Sequence, residues 1–350
     1  MCSYIDDNTK ITSTKYHTVG ELKNAPIPNI IRTVSRMSDS HVRSHMDKWL
    51  FENHYIKQRL MGNLTNRVKQ INSKICYRYI VQKIFGGYDP LSDYIIEDLG
   101  QLIQRTDIIH SLRVINPSLT GIFLDYLIRV IICQIRHVLF TDTRTENIEY
   151  SVSIMYPDFA YDISDSYQKL QDLEQYHIID IIKNVFIVSI SHSIAFGGPP
   201  QQETIESMLS LLEDNIECQV LIQNLTNICE YLFDGKCTVQ LNPTLGCQLG
   251  VISEIIPSDC DIIADESLID IKCVKKLDHV SNVLQLIGYM SMIHFNPHFE
   301  TNIKKLVILD MMENKLYVYN AERLNESHLL NFLKLLSNQY NPKIQICIKK

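Results

Sequence analysis

One stretch constrains this chain more than any other: Ser258-Asp259-Cys260-Asp261-Ile262-Ile263-Ala264-Asp265-Glu266-Ser267-Leu268-Ile269-Asp270-Ile271-Lys272. Two short apolar runs flank a polar turn at Asp265-Glu266-Ser267, which reads as a β-hairpin. Strand side chains alternate faces, so Asp270 and Lys272 share one face while Ile269, Ile271 and Cys273 take the other. Pairing Ile263 with Leu268 around a four-residue turn sets Asp261 directly opposite Asp270, with Cβ atoms about 4.5–5.5 Å apart. A slip of one residue turns Asp261 to the wrong face.

Two carboxylates and one ammonium then converge on a single patch. With a backbone carbonyl, that of Ile271, the carboxylates make an oxygen-rich site suited to Mg²⁺ or Mn²⁺. Such a cation acidifies water and neutralises charge on a phosphoryl oxygen. Lys272 beside it can orient the attacking water or stabilise developing charge. The same residues also fit a plain sheet edge with solvated charges, because Asp-x-Lys is common by chance.

Residues beyond the hairpin extend the pattern. Asp278 to His294 reads as a helix, and Gln285 and Tyr289 lie four apart on one of its faces. Next come Lys305 to Asp310, a turn at Glu313-Asn314 and Lys315 to Tyr319, a second hairpin. A helix over about 324–339 and a last strand, Ile344 to Ile348, complete the chain. Asp261, Asp270-Ile271-Lys272 and the Gln285-x-x-x-Tyr289 helix together resemble the PD-(D/E)XK nuclease superfamily, whose core has this order of strand, strand, helix, strand, strand.

The likeness is closer to uncharacterised bacterial and large-DNA-virus members of that superfamily. It is carried by Asn242-Pro243-Thr244-Leu245, Ser258-Asp259-Cys260-Asp261 and Leu268-Ile269-Asp270-Ile271-Lys272. An upstream helix, Gly121 to Arg129, is similar too. Glycines that precede the first Asp in those relatives are replaced here by Ile256-Pro257. The resemblance covers roughly 116–320 and is strong in 242–290. It implies a restriction-endonuclease-like α/β core sheet flanked by helices, with Asp261 and Asp270 as metal ligands and Lys272 as the water-positioning cation. It further implies that Gln285 holds the site or contacts the strand, and that Tyr289 is a nucleic-acid contact. Asp125 either faces the metal or simply pairs with Arg129 four residues on.

The 350 residues allow about two domains, and 45% hydrophobic with 21% charged content is ordinary for a globular chain. Ten cysteines without zinc or Cys-x-x-Cys spacing point to free thiols in an intracellular compartment. The most apolar stretch, His177 to Phe196, carries Asp180, Lys183 and His192, so it reads as a buried helix and not a membrane span.

Charge is unevenly spread. Residues 1–30 are polar, balance at zero and read as a leader. Residues 31–85 hold eleven Lys/Arg against three acidic residues, a local charge of +8 in a chain of net −7. Apolar spacing there predicts helices. A basic helical region over 31–115 is a candidate surface for tracking phosphates, with Arg67, Lys69 and Lys74 as contacts. Solvated faces of ordinary helices explain the same charges.

Gly86-Gly87-Tyr88-Asp89-Pro90 predicts a break. Helices are expected through 91–110 and from Ser118, as a cap behind Pro117, to Leu139. Two more, over 164–196 and 202–234, form a helical insertion in a catalytic domain of 116–350. The loop Gly197-Gly198-Pro199-Pro200 between them lacks the Lys of a phosphate-binding loop, so no nucleotide cofactor is expected. The sequence therefore predicts a Mg²⁺- or Mn²⁺-dependent nuclease acting on DNA. The rival is a nuclease-like DNA-binding or structural protein without catalysis.

Overall fold

The computed structural model describes residues 64–140, 157–172, 178–197, 200–213, 216–233 and 237–337, except 244, 246–248, 253–255 and 257. Two helices, α1 (Leu64–Lys74) and α2 (Tyr77–Lys83), precede the strand β1 (Tyr94–Asp98). After a 3-10 turn at Gly100–Leu102 come α3 (Ile108–Ile115), α4 (Pro117–Ile135), α5 (Pro157–Gln171), α6 (Ile178–Gly197), α7 (Gln202–Leu212) and α8 (Ile216–Leu232). The remainder runs β2 (Val239–Leu241), β3 (Ile262–Ala264), β4 (Ser267–Lys272), α9 (His279–Phe295), β5 (Lys305–Asp310), β6 (Lys315–Asn320) and α10 (Glu326–Leu336). The protein is thus mixed α and β, with one six-stranded sheet and ten helices among the described residues.

The strands lie in the order β1-β6-β5-β4-β3-β2. Only β4 and β5 are parallel, and α9 supplies the crossover that a parallel pair needs. Alternation along the strands splits the core in two. Ile262, Ile269, Val307 and Leu309 enter one cluster with helices α3 to α8, while Ile263, Leu268, Leu306 and Ile308 enter another with α1, α9 and α10. The sheet is therefore sandwiched, and β4 at its centre is apolar on both faces except where Asp270 and Lys272 stand.

Helix α4 is apolar nearly all round because it is a core helix. Among the described residues it alone is long and apolar enough to cross a membrane, and 67% of its apolar window is buried inside the protein. Helix α6 matches the expected buried helix, with Ile181, Val185, Phe186 and Val188 in the core.

Several expectations need correction. Residues 91–110 are not helical throughout: Tyr94–Asp98 forms β1, paired with β6, before the 3-10 turn and α3. A short apolar run does not distinguish helix from strand, and the deciding partner lies far along the chain. Asn116, not Ser118, caps α4: its Oδ1 accepts from Leu119 N at 3.0 Å, and Pro117 takes the first helical position. Each helix expected over 164–196 and 202–234 is two helices. Of the stretch 64–115, β1 joins the sheet and α1 packs on α9. The leader 1–30, the basic stretch 31–63 and the strand 344–348 lie outside the described residues.

Candidate metal site on the central hairpin

Strands β3 and β4 pair as Ile262 with Ile269, Ile263 with Leu268 and Ala264 with Ser267. That is the expected register, closed by a tighter turn of two residues. Asp265 holds the turn at φ +47°, and its Oδ1 accepts from Thr238 N and Thr238 Oγ1, both at 2.8 Å. One step beyond the ladder, the register sets Asp261 against Asp270.

The two carboxylates are held differently. Asp261 Oδ2 accepts from Ile271 N at 2.7 Å. A residue's N–H and C=O point to the same side of a strand, so the Ile271 carbonyl also faces Asp261. Lys272 Nζ lies 2.6 Å from Asp270 Oδ2, with the Asp270 side chain only 3% exposed. The Asn242-Pro243 motif buttresses this arrangement: Asn242 N donates to Asp261 O at 2.7 Å, and Leu245 N to Ser258 O at 2.8 Å.

Asp125 pairs with Arg129 and also lies within electrostatic reach of the hairpin carboxylates. Its Oδ2 pairs with Arg129 Nη2 at 2.7 Å, and Arg129 is buried over the Tyr126 ring. Its Oδ1 is buried without a hydrogen-bond partner among the described residues. The same carboxylate acts electrostatically on Asp261, Asp270 and Lys272.

Burial, then Asp270 and Asp125, pushes the Asp261 carboxyl up to about 8, against the opposing pull of Lys272 and the Ile271 N–H. Asp270 is also raised, by burial first, with Lys272 opposing and Asp125 adding to the rise. Burial alone would lower Lys272, but Asp270, Asp261 and Asp125 outweigh it and raise its pKa. Ionised together, Asp261 and Asp270 would carry more negative charge than Lys272 balances.

Gln285 and Tyr289 on α9 form the wall. Gln285 Nε2 donates to Tyr289 Oη at 2.7 Å and to Thr65 Oγ1 at 3.1 Å, which occupies both of its N–H groups. Its amide nitrogen therefore orients Tyr289. Burial, then Asp270 and Asp261, raises the Tyr289 hydroxyl well above its usual pKa. Thr65 escaped the sequence reading because nothing near it in the chain links α1 to α9. A tight seam makes the link: a Cβ on Gly288 would sit 2.7 Å from Leu64 Cδ1.

The basic residues of α1 part company. Arg67 Nη1 donates to Leu336 O at 2.9 Å and so caps the C-terminal end of α10. Arg67 was expected to face phosphate, yet part of its guanidinium closes a helix end. Lys69 and Lys74 are exposed. Asn72 Nδ2 donates to Ser281 Oγ at 2.7 Å, so Lys74 lies near the start of α9 and Thr65 near its middle.

Among the described residues, no group of three or more His, Cys, Asp or Glu is gathered tightly enough to cage an ion. The donors present are two carboxylates, one carbonyl and a nearby third carboxylate with a buried, unpartnered oxygen. That set suits Mg²⁺, which keeps several waters and takes few protein ligands.

No family model, curated protein or solved structure matches this chain.

Proposed function

We propose that this protein is a metal-dependent nuclease of the PD-(D/E)XK type that hydrolyses phosphodiester bonds in DNA. The observation that carries the reading is the hairpin register, which sets Asp261 against Asp270 with Lys272 on the same face. Support comes from the chain order β3, β4, α9, β5, β6, which is the order the resemblance implies. Asp261, Asp270 and the Ile271 carbonyl would hold Mg²⁺ or Mn²⁺, with Asp125 adding negative charge behind them. A cation bound there supplies Lewis acidity to a phosphoryl oxygen and lowers the pKa of water.

The side chains then have distinct tasks. Asp261 and Asp270 would have to be ionised to hold the cation, as ligands must. Lys272, on the same face, would direct its ammonium at the attacking water or the phosphoryl oxygen. Gln285 and Thr65 fix the Tyr289 hydroxyl at the edge of the site.

The test is cleavage of single- and double-stranded DNA by the purified chain with Mg²⁺ or Mn²⁺, and with EDTA. Wild type should cut only with metal, and Asp270→Asn should not cut at all. An inactive wild type, or cleavage surviving Asp270→Asn, would overturn the proposal and favour a non-catalytic role.

A further inference from the structure

Strand β1 is the outermost strand of the sheet and, among the described residues, pairs only with β6. Asn320 N donates to Asp93 O at 3.1 Å and Leu99 N to Asn314 O at 2.9 Å, so the odd-numbered residues face β6. Successive residues of a strand turn their N–H and C=O to opposite sides. The backbone groups of Tyr94, Ile96 and Asp98 therefore point out of the sheet.

Natural edge strands avoid pairing with other chains through charged side chains, Lys above all, and through Pro, bulges or short length. Here five residues pair with β6 in unbroken register without Lys or Pro, and the strand's two charges, Glu97 and Asp98, are confined to its C-terminal end. Tyr94, Ile95 and Ile96 are 46%, 64% and 50% exposed, which places apolar surface on both faces of the edge.

We infer that β1 is a homodimer interface, in which a second copy of this chain adds its own β1 antiparallel about a two-fold axis at Ile96. In that register Ile96 opposes Ile96 of the partner subunit, and Tyr94 opposes Asp98 of the partner subunit. These are the three residues whose backbone groups face outward, so every opposed pair exchanges both N–H···O bonds. Glu97 falls opposite Ile95 of the partner subunit, so no like charges meet across the ladder.

Other registers are worse. Centring the axis on Glu97 or Asp98 sets a carboxylate against its own copy. Centring it on Ile95 or Tyr94 leaves Asp98 without an opposing strand residue. The inference stands apart from the nuclease reading, because it uses none of the carboxylate site.

Sedimentation of the full chain tests it. Wild type should run at twice the 40.6 kDa of one chain. Ile96→Lys sets two ammonium groups side by side on the axis. Ile96→Pro removes an N–H that no strand among the described residues uses. Both variants should sediment as monomers with unchanged circular dichroism, and if Ile96→Lys misfolds, Ile96→Pro decides alone. Ile95→Lys should stay dimeric, because its ammonium would meet Glu97 of the partner subunit. A wild type that is monomeric at every concentration overturns the inference, as does a dimer surviving Ile96→Pro.

Discussion

Lys272 Nζ sits 2.6 Å from Asp270 Oδ2, so the ammonium already occupies one oxygen of a carboxylate proposed to bind metal. Cation and lysine thus compete for the same charge. Lys272→Met would leave Asp270 buried and unpaired, a change that costs about 3–5 kcal/mol when one partner of a buried pair is lost. Mg²⁺ should restore part of that loss, and more in the variant than in wild type. Urea unfolding with and without Mg²⁺ measures both. Equal metal effects in the two proteins would remove the cation from Asp270.

The Asp261 carboxyl, raised to about 8, gives stability a pH dependence. An unfolded Asp releases its proton near 3.9. Between roughly pH 4 and pH 8 the native state therefore binds more protons than the unfolded chain, and stability falls as pH rises. Asp270 shifts in the same direction. In EDTA the melting temperature should decline across that window, and Asp261→Asn should flatten the decline. Stabilisation by Mg²⁺ should grow with pH and level off near 8, because the cation displaces the proton. A melting temperature that rises with pH in EDTA would contradict this.

Gly288 admits α1 against α9. In Gly288→Ala the new methyl meets Leu64, which is buried with little room to move. Overpacking of this kind costs about 1–3 kcal/mol. Leu64→Ala should make room, so the double variant should be more stable than the two single losses predict. The coupling energy from a double-mutant cycle checks the contact. Activity should follow, since the shift moves Thr65 away from Gln285.

The basic residues of α1 separate into structure and recognition. Arg67→Gln removes a donor from the end of α10 and should lower stability by about 1 kcal/mol. Lys69→Gln with Lys74→Gln should leave stability unchanged and weaken DNA binding. The salt dependence of affinity should flatten by roughly one unit per lost phosphate contact. Titration with Ca²⁺ in place of Mg²⁺ keeps the DNA intact. An unchanged slope assigns both lysines to plain solvent contact.

The hairpin was legible because strand periodicity and turn chemistry are local: Asp261, Asp270 and Lys272 fall within twelve residues. Helix α9 was legible for a similar reason, with Asp278 accepting from Ser281 N at its start and apolar residues following. β1 was not, because its outer edge has no burial pattern and its identity as a strand depends on β6. Thr65 and the cap made by Arg67 were hidden likewise. Each is defined by a neighbour distant in sequence, which no local period encodes.

The pairing of Tyr94 with Tyr319 also has a consequence in time. Non-local strand contacts form slowly, because a long loop must close before any pairing rewards it. During synthesis β1 emerges early and waits for β6, so its exposed edge is unpaired while the ribosome completes the chain. The wall of the candidate site is in the same position, since Thr65 must wait for Gln285. A chain arrested before residue 305 would lack the strand beside β4 and should be cut readily by protease around Asp270. One arrested after residue 337 should resist. Assembled from segments 220 residues apart, as Thr65 and Gln285 are, the site would stay unformed on the ribosome until α9 and the strands after it have emerged.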